Sequence, residues 1–148
     1  MEIKRILFPT DFSEGALNAL PYAVDLAKSY GAKLHMLHVV YDIVTASGLY
    51  VPHISVDEMY KELDASARKE LEKFGADKRM DLKDVEYTVI RGIPYEEILK
   101  FAEEKNIDLI VIGTHGRKGL DRVLFGSTAE RVVRNASCPV LTVRESKK

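Results

Sequence analysis

Five short apolar runs alternate with four segments whose apolar residues recur at helical spacing, and this alternation constrains the fold of the 148-residue chain more than any other feature. Residues 3–8 form the first run. Residues 33–40 form the second, with Leu34, Met36, Leu37, Val39 and Val40. Residues 84–90 alternate, which puts Val85, Tyr87 and Val89 on one face of a strand. Residues 109–112 and 140–143 complete the set. Between the first two runs, Ala16, Leu17, Leu20, Ala23, Val24 and Ala27 mark a helix over 12–30, with Asp11 or Ser13 as its N-cap and Gly31 as its stop. A second helix over 55–80 shows an apolar stripe of Met59, Leu63, Ala67, Leu71 and Phe74, with Gly75 as its end or a kink. Pro94 opens a third, facing inward with Ile98, Phe101 and Ala102, and residues 128–134 read as a fourth. Strand and helix in strict turn predict an α/β fold: a parallel sheet with helices on both faces and right-handed crossovers. No repeat or linker interrupts the pattern, so the expectation is one domain over 1–148. Alternation alone leaves the strand order open between 3-2-1-4-5 and 2-1-3-4-5.

The stretch 113–127, GTHGRKGLDRVLFGS, joins the end of the fourth strand to the start of the fourth helix. It holds four glycines and three basic residues, Arg117, Lys118 and Arg122. Glycine lets a backbone turn sharply and approach a ligand closely, and a helix N-terminus favours an anion. One reading is therefore a phosphate-binding loop. The other is a surface loop with ordinary turn glycines. The Walker A lysine is missing between Gly126 and Ser127, and no G-x-G-x-x-G occurs in the chain.

Composition narrows the function classes. Hydrophobic residues are 46% of the chain and charged residues 30%, enough apolar content for a packed core. A net charge of -1 argues against bulk attraction to nucleic acid. No apolar run approaches membrane-spanning length, and residues 1–5 lack the apolar stretch of a secretion signal. The one cysteine, Cys138, allows no internal disulfide and reads as a small core or surface thiol ahead of a redox group. Together these predict a cytoplasmic protein with neither a nucleic-acid nor a membrane partner. His35 and His38, three apart in a strand, point to opposite faces and cannot share a metal, so both read as structural. His53 is isolated, and no dedicated metal site is expected. Residues 41–54 read as a long loop with exposed apolar side chains, either covering a site or touching a partner, or else disordered.

Gly113, two residues, Gly116, nine residues, then Gly126 and Ser127 is a spacing that resembles the nucleotide loop of the universal stress proteins. The flanks are similar too: residues 8–13, FPTDFS, near the start and 138–143, CPVLTV, near the end. The resemblance covers essentially the whole chain and is strongest to the ATP-binding branch. It implies a Rossmann-like, adenine nucleotide alpha hydrolase-like fold with five parallel strands in the order 3-2-1-4-5. The order would then reverse between the first and fourth strands, where a ligand binds in such sheets. By the same carry-over, Asp11 accepts hydrogen bonds from both ribose hydroxyls, where its residue type alone allows a helix cap equally well. Pro9 and Thr10 line the nucleoside pocket, and Val39 offers backbone groups to adenine. Ile112 and Gly113 lie beneath sugar and base. Gly116, Gly126, Ser127 and Thr128 cradle the phosphates, with Arg117 and Lys118 facing polyphosphate or solvent. The ligand would be ATP, or AMP or ADP, with Mg²⁺ carried by the phosphates. The resemblance also implies a homodimer paired through the last strand, Val140, Leu141, Thr142 and Val143, whose edge position suits such pairing.

Three function classes compete. The first is an adenine-nucleotide-binding stress or regulatory protein, in which ATP sets a conformation or partner surface. The second is a slow ATPase or a nucleotidyl- or phosphoryl-transfer enzyme. It needs a placed base or nucleophile, and Asp11, already given to the sugar, is the only carboxylate the sequence puts in the crevice. No catalytic residue is assigned. His115 reads as an exposed loop histidine, with phosphate binding or proton transfer as the alternative. The third class, a phosphoryl-accepting receiver domain, needs an aspartate ending the third strand and a lysine ending the fifth. Those positions hold Ile90, Arg91 and Gly92, then Val143 and Arg144, so that class is set aside.

Overall fold

A computed structural model describes residues 1–42, 48, 53–76, 81–115 and 126–144. Among these the elements run β1 (Arg5–Pro9), α1 (Glu14–Tyr30), β2 (Lys33–Tyr41), α2 (His53–Gly75), β3 (Val85–Gly92), α3 (Pro94–Glu104), β4 (Leu109–Gly113), α4 (Ser127–Asn135) and β5 (Val140–Val143). All pairings are parallel, and the order is β3-β2-β1-β4-β5, which decides between the two orders that alternation allowed. β1, β2 and β4 are buried almost throughout, so they read as continuous apolar runs and not as alternating ones.

Alternation along each strand sorts its side chains between two cores. Ile6, Phe8, Leu34, Met36 and Val111 pack with α1 and with Leu71 of α2. Leu7, Leu37, Ile110 and Ile112 pack with Ile98 and Phe101 of α3 and Val132 of α4. α1 meets the sheet through Ala16, Ala19, Ala23 and Ala27, small residues that let the helix lie close. The carboxylate of Asp108, just before β4, accepts the N–H groups of Lys4 and Arg5 at 2.9 and 3.0 Å and so anchors the start of β1 to β4.

Several expectations shift. α1 begins at Glu14, and the capping residue is Ser13, whose hydroxyl accepts from the Ala16 N–H; Asp11 is not the cap. Leu17 is 48% exposed and lies off the buried face. α2 starts at His53, which is therefore helical and not a loop residue, and it ends at Gly75. Its inward stripe is Tyr60, Ala67, Leu71 and Phe74, while Met59 and Leu63 are 47% and 44% exposed. The true stripe is turned from the expected one by a single residue at its N-terminal end, because Tyr60 buries its ring there beside Val40. Of the loop expected over 41–54, Tyr41 belongs to β2, and 43–47 and 49–52 lie outside the described residues.

Candidate functional site

β1 is flanked by β2 on one side and β4 on the other, so the chain order reverses between β1 and β4. The β1–β4 pairing runs through Ile6↔Leu109 and Leu7↔Ile110, short of Pro9 and Gly113 at the two strand ends. A ligand crevice in an open parallel sheet forms at this kind of place.

The rim on the β1 side is a tight turn over 10–13. The Thr10 N–H donates to the Leu37 carbonyl at 2.8 Å. The buried Thr10 Oγ1 accepts from the Phe12 N–H at 3.0 Å, and Asp11 Oδ1 accepts from the Ser13 N–H at 3.0 Å. Short polar side chains that bond their own backbone two residues on are what makes such a turn. Phe12 takes φ 65°, a left-handed value uncommon for a bulky residue. The half-buried Asp11 therefore shapes the turn that displays it. β2 runs past β1: Leu37 is level with Pro9, so Val39 lies two residues further toward the same end.

The rim on the β4 side is assembled from Gly113, Thr114, His115 and the start of α4. The Thr114 N–H donates to the Val143 carbonyl, and the Gly126 N–H donates to the Thr114 carbonyl, closing the neck of the glycine loop. That bond brings Gly126, Ser127 and Thr128 back to the end of β4. α1 has its cap from Ser13, whereas α4, with Gly126 as its N-cap, has no capping side chain among the described residues. Among the described residues its first N–H groups therefore meet no capping side chain, and Glu130 is the acidic residue of its first turn. Gly113 is required by packing: a Cβ there would come within 2.5 Å of the Gly15 carbonyl oxygen. A Cβ on Gly15 would collide with the His115 carbonyl. Two glycines thus press the first turn of α1 against the end of β4. His115 is half-buried, with Nδ1 3.1 Å from the buried Thr114 Oγ1, and is not the exposed loop histidine expected.

Pro9, Thr10, Asp11, Ile112, Gly113, Gly126, Ser127 and Thr128 are thus gathered at one end of the sheet. Gly116, Arg117, Lys118 and Arg122 lie outside the described residues. No group of three or more His, Cys, Asp or Glu residues that would hold a metal occurs among the described residues. His35 and His38 do face opposite ways, one toward Phe101 and the other toward Phe12. Cys138 is half-buried, and burial pushes its thiol pKa up, which keeps it protonated.

Residues 2–144 match the universal stress protein family. The chain belongs to that family. Universal stress protein MJ0531 of Methanocaldococcus jannaschii is 39% identical over 147 residues, covering 98% of this chain and 84% of its own. Universal stress protein YxiE of Bacillus subtilis is 38% identical, covering 95% and 98%. The solved structure of the Methanocaldococcus jannaschii protein MJ0577 superposes with a TM-score of 0.82 at 30% identity over the whole of both chains. The universal stress protein fold, five parallel strands in the order 3-2-1-4-5, is the architecture found here. No helix among the described residues is long and apolar enough to cross a membrane. Sequence reasoning about this universal stress protein missed Gly15, Thr114 and Phe12. A glycine in the first turn of a helix was the one available signal for Gly15; nothing local marks the left-handed Phe12.

Proposed function

We propose that this universal stress protein binds an adenine nucleotide, ATP foremost, in the crevice between β1 and β4, and that the bound nucleotide sets a conformation or partner surface. One observation carries the reading. A carboxylate, Asp11, and a helix start at Gly126 with no side-chain cap among the described residues stand on either side of the strand-order reversal. A nucleotide needs both: a hydrogen-bond acceptor for its ribose hydroxyls and N–H donors for its phosphates. Pro9, Thr10 and Val39 line the base and sugar, Ile112 and Gly113 form the floor, and Gly126, Ser127 and Thr128 hold phosphate. Gly116 and Arg117 join the set on sequence spacing, and Mg²⁺ would travel with the phosphates. Two proteins of this fold support the scaffold's suitability. A universal stress protein in complex with cAMP and one from Archaeoglobus fulgidus in complex with dAMP match at TM-scores of 0.68 and 0.57, both at 23% identity. The proposal includes a single cytoplasmic domain acting as a homodimer through β5, which ends the sheet with Val140, Leu141 and Thr142 only half-buried.

The test is gentle purification, acid release and chromatography of the nucleotide, then calorimetric titration with ATP and AMP in the presence of Mg²⁺. Adenine nucleotide in the released fraction, or ATP binding of roughly micromolar strength, supports the proposal. No nucleotide and no heat with any adenine ligand would refute it.

A further inference from the structure

His38 lies on the strand beside the candidate site and touches the 10–13 turn at two points. Its Nδ1 is 2.8 Å from the Thr10 carbonyl oxygen. A carbonyl oxygen only accepts, so Nδ1 carries the proton in this contact. Its ring also stacks on Phe12, with centroids 4.4 Å apart and planes 30° apart. Both backbone polar groups of Thr10 are therefore tied to β2, the N–H to the Leu37 carbonyl and the carbonyl to the His38 ring.

The turn has reason to need such a clamp. Phe12 at φ 65° holds a conformation that a residue with a Cβ adopts only when its surroundings enforce it. The two bonds inside the turn, Phe12 N–H to Thr10 Oγ1 and Ser13 N–H to Asp11 Oδ1, are local and partly exposed. Beside the two hydrogen bonds from β2 to the Thr10 backbone, the restraint from outside is aromatic. Phe12 lies between His38 and Phe74, which meets it edge-on at 6.0 Å, and Phe74 stacks on Phe8 at 6.4 Å. This row of rings fastens the turn to β1, β2 and α2 together.

We infer that His38 is a positioning residue for the nucleotide site: by holding the Thr10 carbonyl and the Phe12 ring, it fixes residues 10–13 in the conformation that presents Asp11 to a ribose. The functional half of this inference rests on the adenine-nucleotide proposal. The clamp itself is a property of the chain without ligand.

Two variants of the full chain separate the bond from the ring. His38→Phe keeps a flat ring against Phe12 and removes the donor. His38→Asn puts an amide N–H where Nδ1 was and removes the ring. ATP affinity is read by calorimetry, and hydrogen exchange of the Phe12 and Ser13 amides by NMR. His38→Phe is expected to weaken ATP about tenfold and to speed exchange at those two amides while β4 stays protected. His38→Asn is expected to recover affinity to within about threefold of the parent. Should His38→Phe not fold, His38→Gln replaces it, since its amide reaches toward the Nε2 position and leaves the Thr10 carbonyl without the donor that Nδ1 supplied. Unchanged affinity and exchange in the donor-deleted variant overturn the inference. So do equal affinity losses in both variants with faster exchange throughout the chain, which is the signature of lost stability alone. A parent protein that binds no adenine nucleotide overturns the functional half, and selective or uniform exchange at residues 12 and 13 then decides the clamp by itself.

Discussion

Asp11 accepts the Ser13 N–H through one oxygen and stands at the rim of the crevice in the turn that follows β1. Asp11→Ala is expected to weaken ATP by roughly 1–3 kcal/mol, the range for hydrogen bonds to a charged group, and calorimetry checks it. Unchanged affinity would remove the ribose assignment. His35 makes a separate prediction. It is 3% exposed, and neither ring nitrogen has a hydrogen-bond partner among the described residues. Burial is the main cause of its lowered pKa, only partly opposed by Glu86, whose Oε2 is 3.9 Å from Nδ1. The folded chain therefore binds this proton less readily than the unfolded chain, whose histidine titrates near ~6.5. Stability from His35 is complete above that pH and falls as the pH drops through it, at up to about 1.4 kcal/mol per pH unit for one proton. Denaturant unfolding of the parent and of His35→Phe between neutral and mildly acid pH should show a shallower acid slope in the variant.

At the scale of elements, the contact of α1 with β4 and the start of α4 control the crevice. A methyl at position 15 meets the His115 carbonyl, which is backbone and cannot swing aside. Gly15→Ala should cost roughly 1–3 kcal/mol in denaturant unfolding, as overpacking does. Full stability in that variant would show that α1 can move off β4 freely. Position 126 behaves differently. Gly126 has φ -67° and ψ 157°, ordinary extended backbone, so a residue with a Cβ meets no backbone strain there. Gly126→Val should fold normally yet lose ATP binding, because the added bulk stands where phosphate would approach the N–H groups. Retained ATP affinity would mean that the start of α4 is not the cradle.

For the whole molecule, β5 ends the sheet, with no further strand beside it among the described residues. The Pro139 carbonyl accepts from Ile110 of β4 and the Val143 carbonyl from Thr114 just beyond it, so by strand alternation Val140 and Thr142 turn their backbone groups outward. Thr142→Pro removes an outward N–H and spares the β4 ladder. Light scattering should give twice the chain mass for the parent and a single chain mass for the variant. A monomeric parent would end the dimer proposal. Most of the architecture is legible in the sequence: the run of strands and helices, the face of Val85, Tyr87 and Val89, and the face of Ile98, Phe101 and Ala102 agree with periodicity, whereas Leu17 does not. The α2 stripe was misread at its start because Met59, Tyr60 and Leu63 are all apolar enough to be core. Only the packing of Tyr60 beside Val40 selects among them.

Local chemistry in the chain determined the alternation of elements, the stops at Gly31 and Gly75, the opening of α3 at Pro94, and the spacing of glycines and hydroxyls around 113–128. These follow from side-chain period and backbone freedom, which act over a few residues. Strand order, by contrast, depends on which distant segments bury the most surface together, and periodicity did not distinguish 3-2-1-4-5 from 2-1-3-4-5. The tertiary structure alone brought Gly15 against His115, tied Thr114 to Gly126, and set His38 on Thr10 and Phe12. Gly15 and His115 are a hundred residues apart in the chain. Contacts across such separations exist only once the sheet has formed, so no local pattern records them.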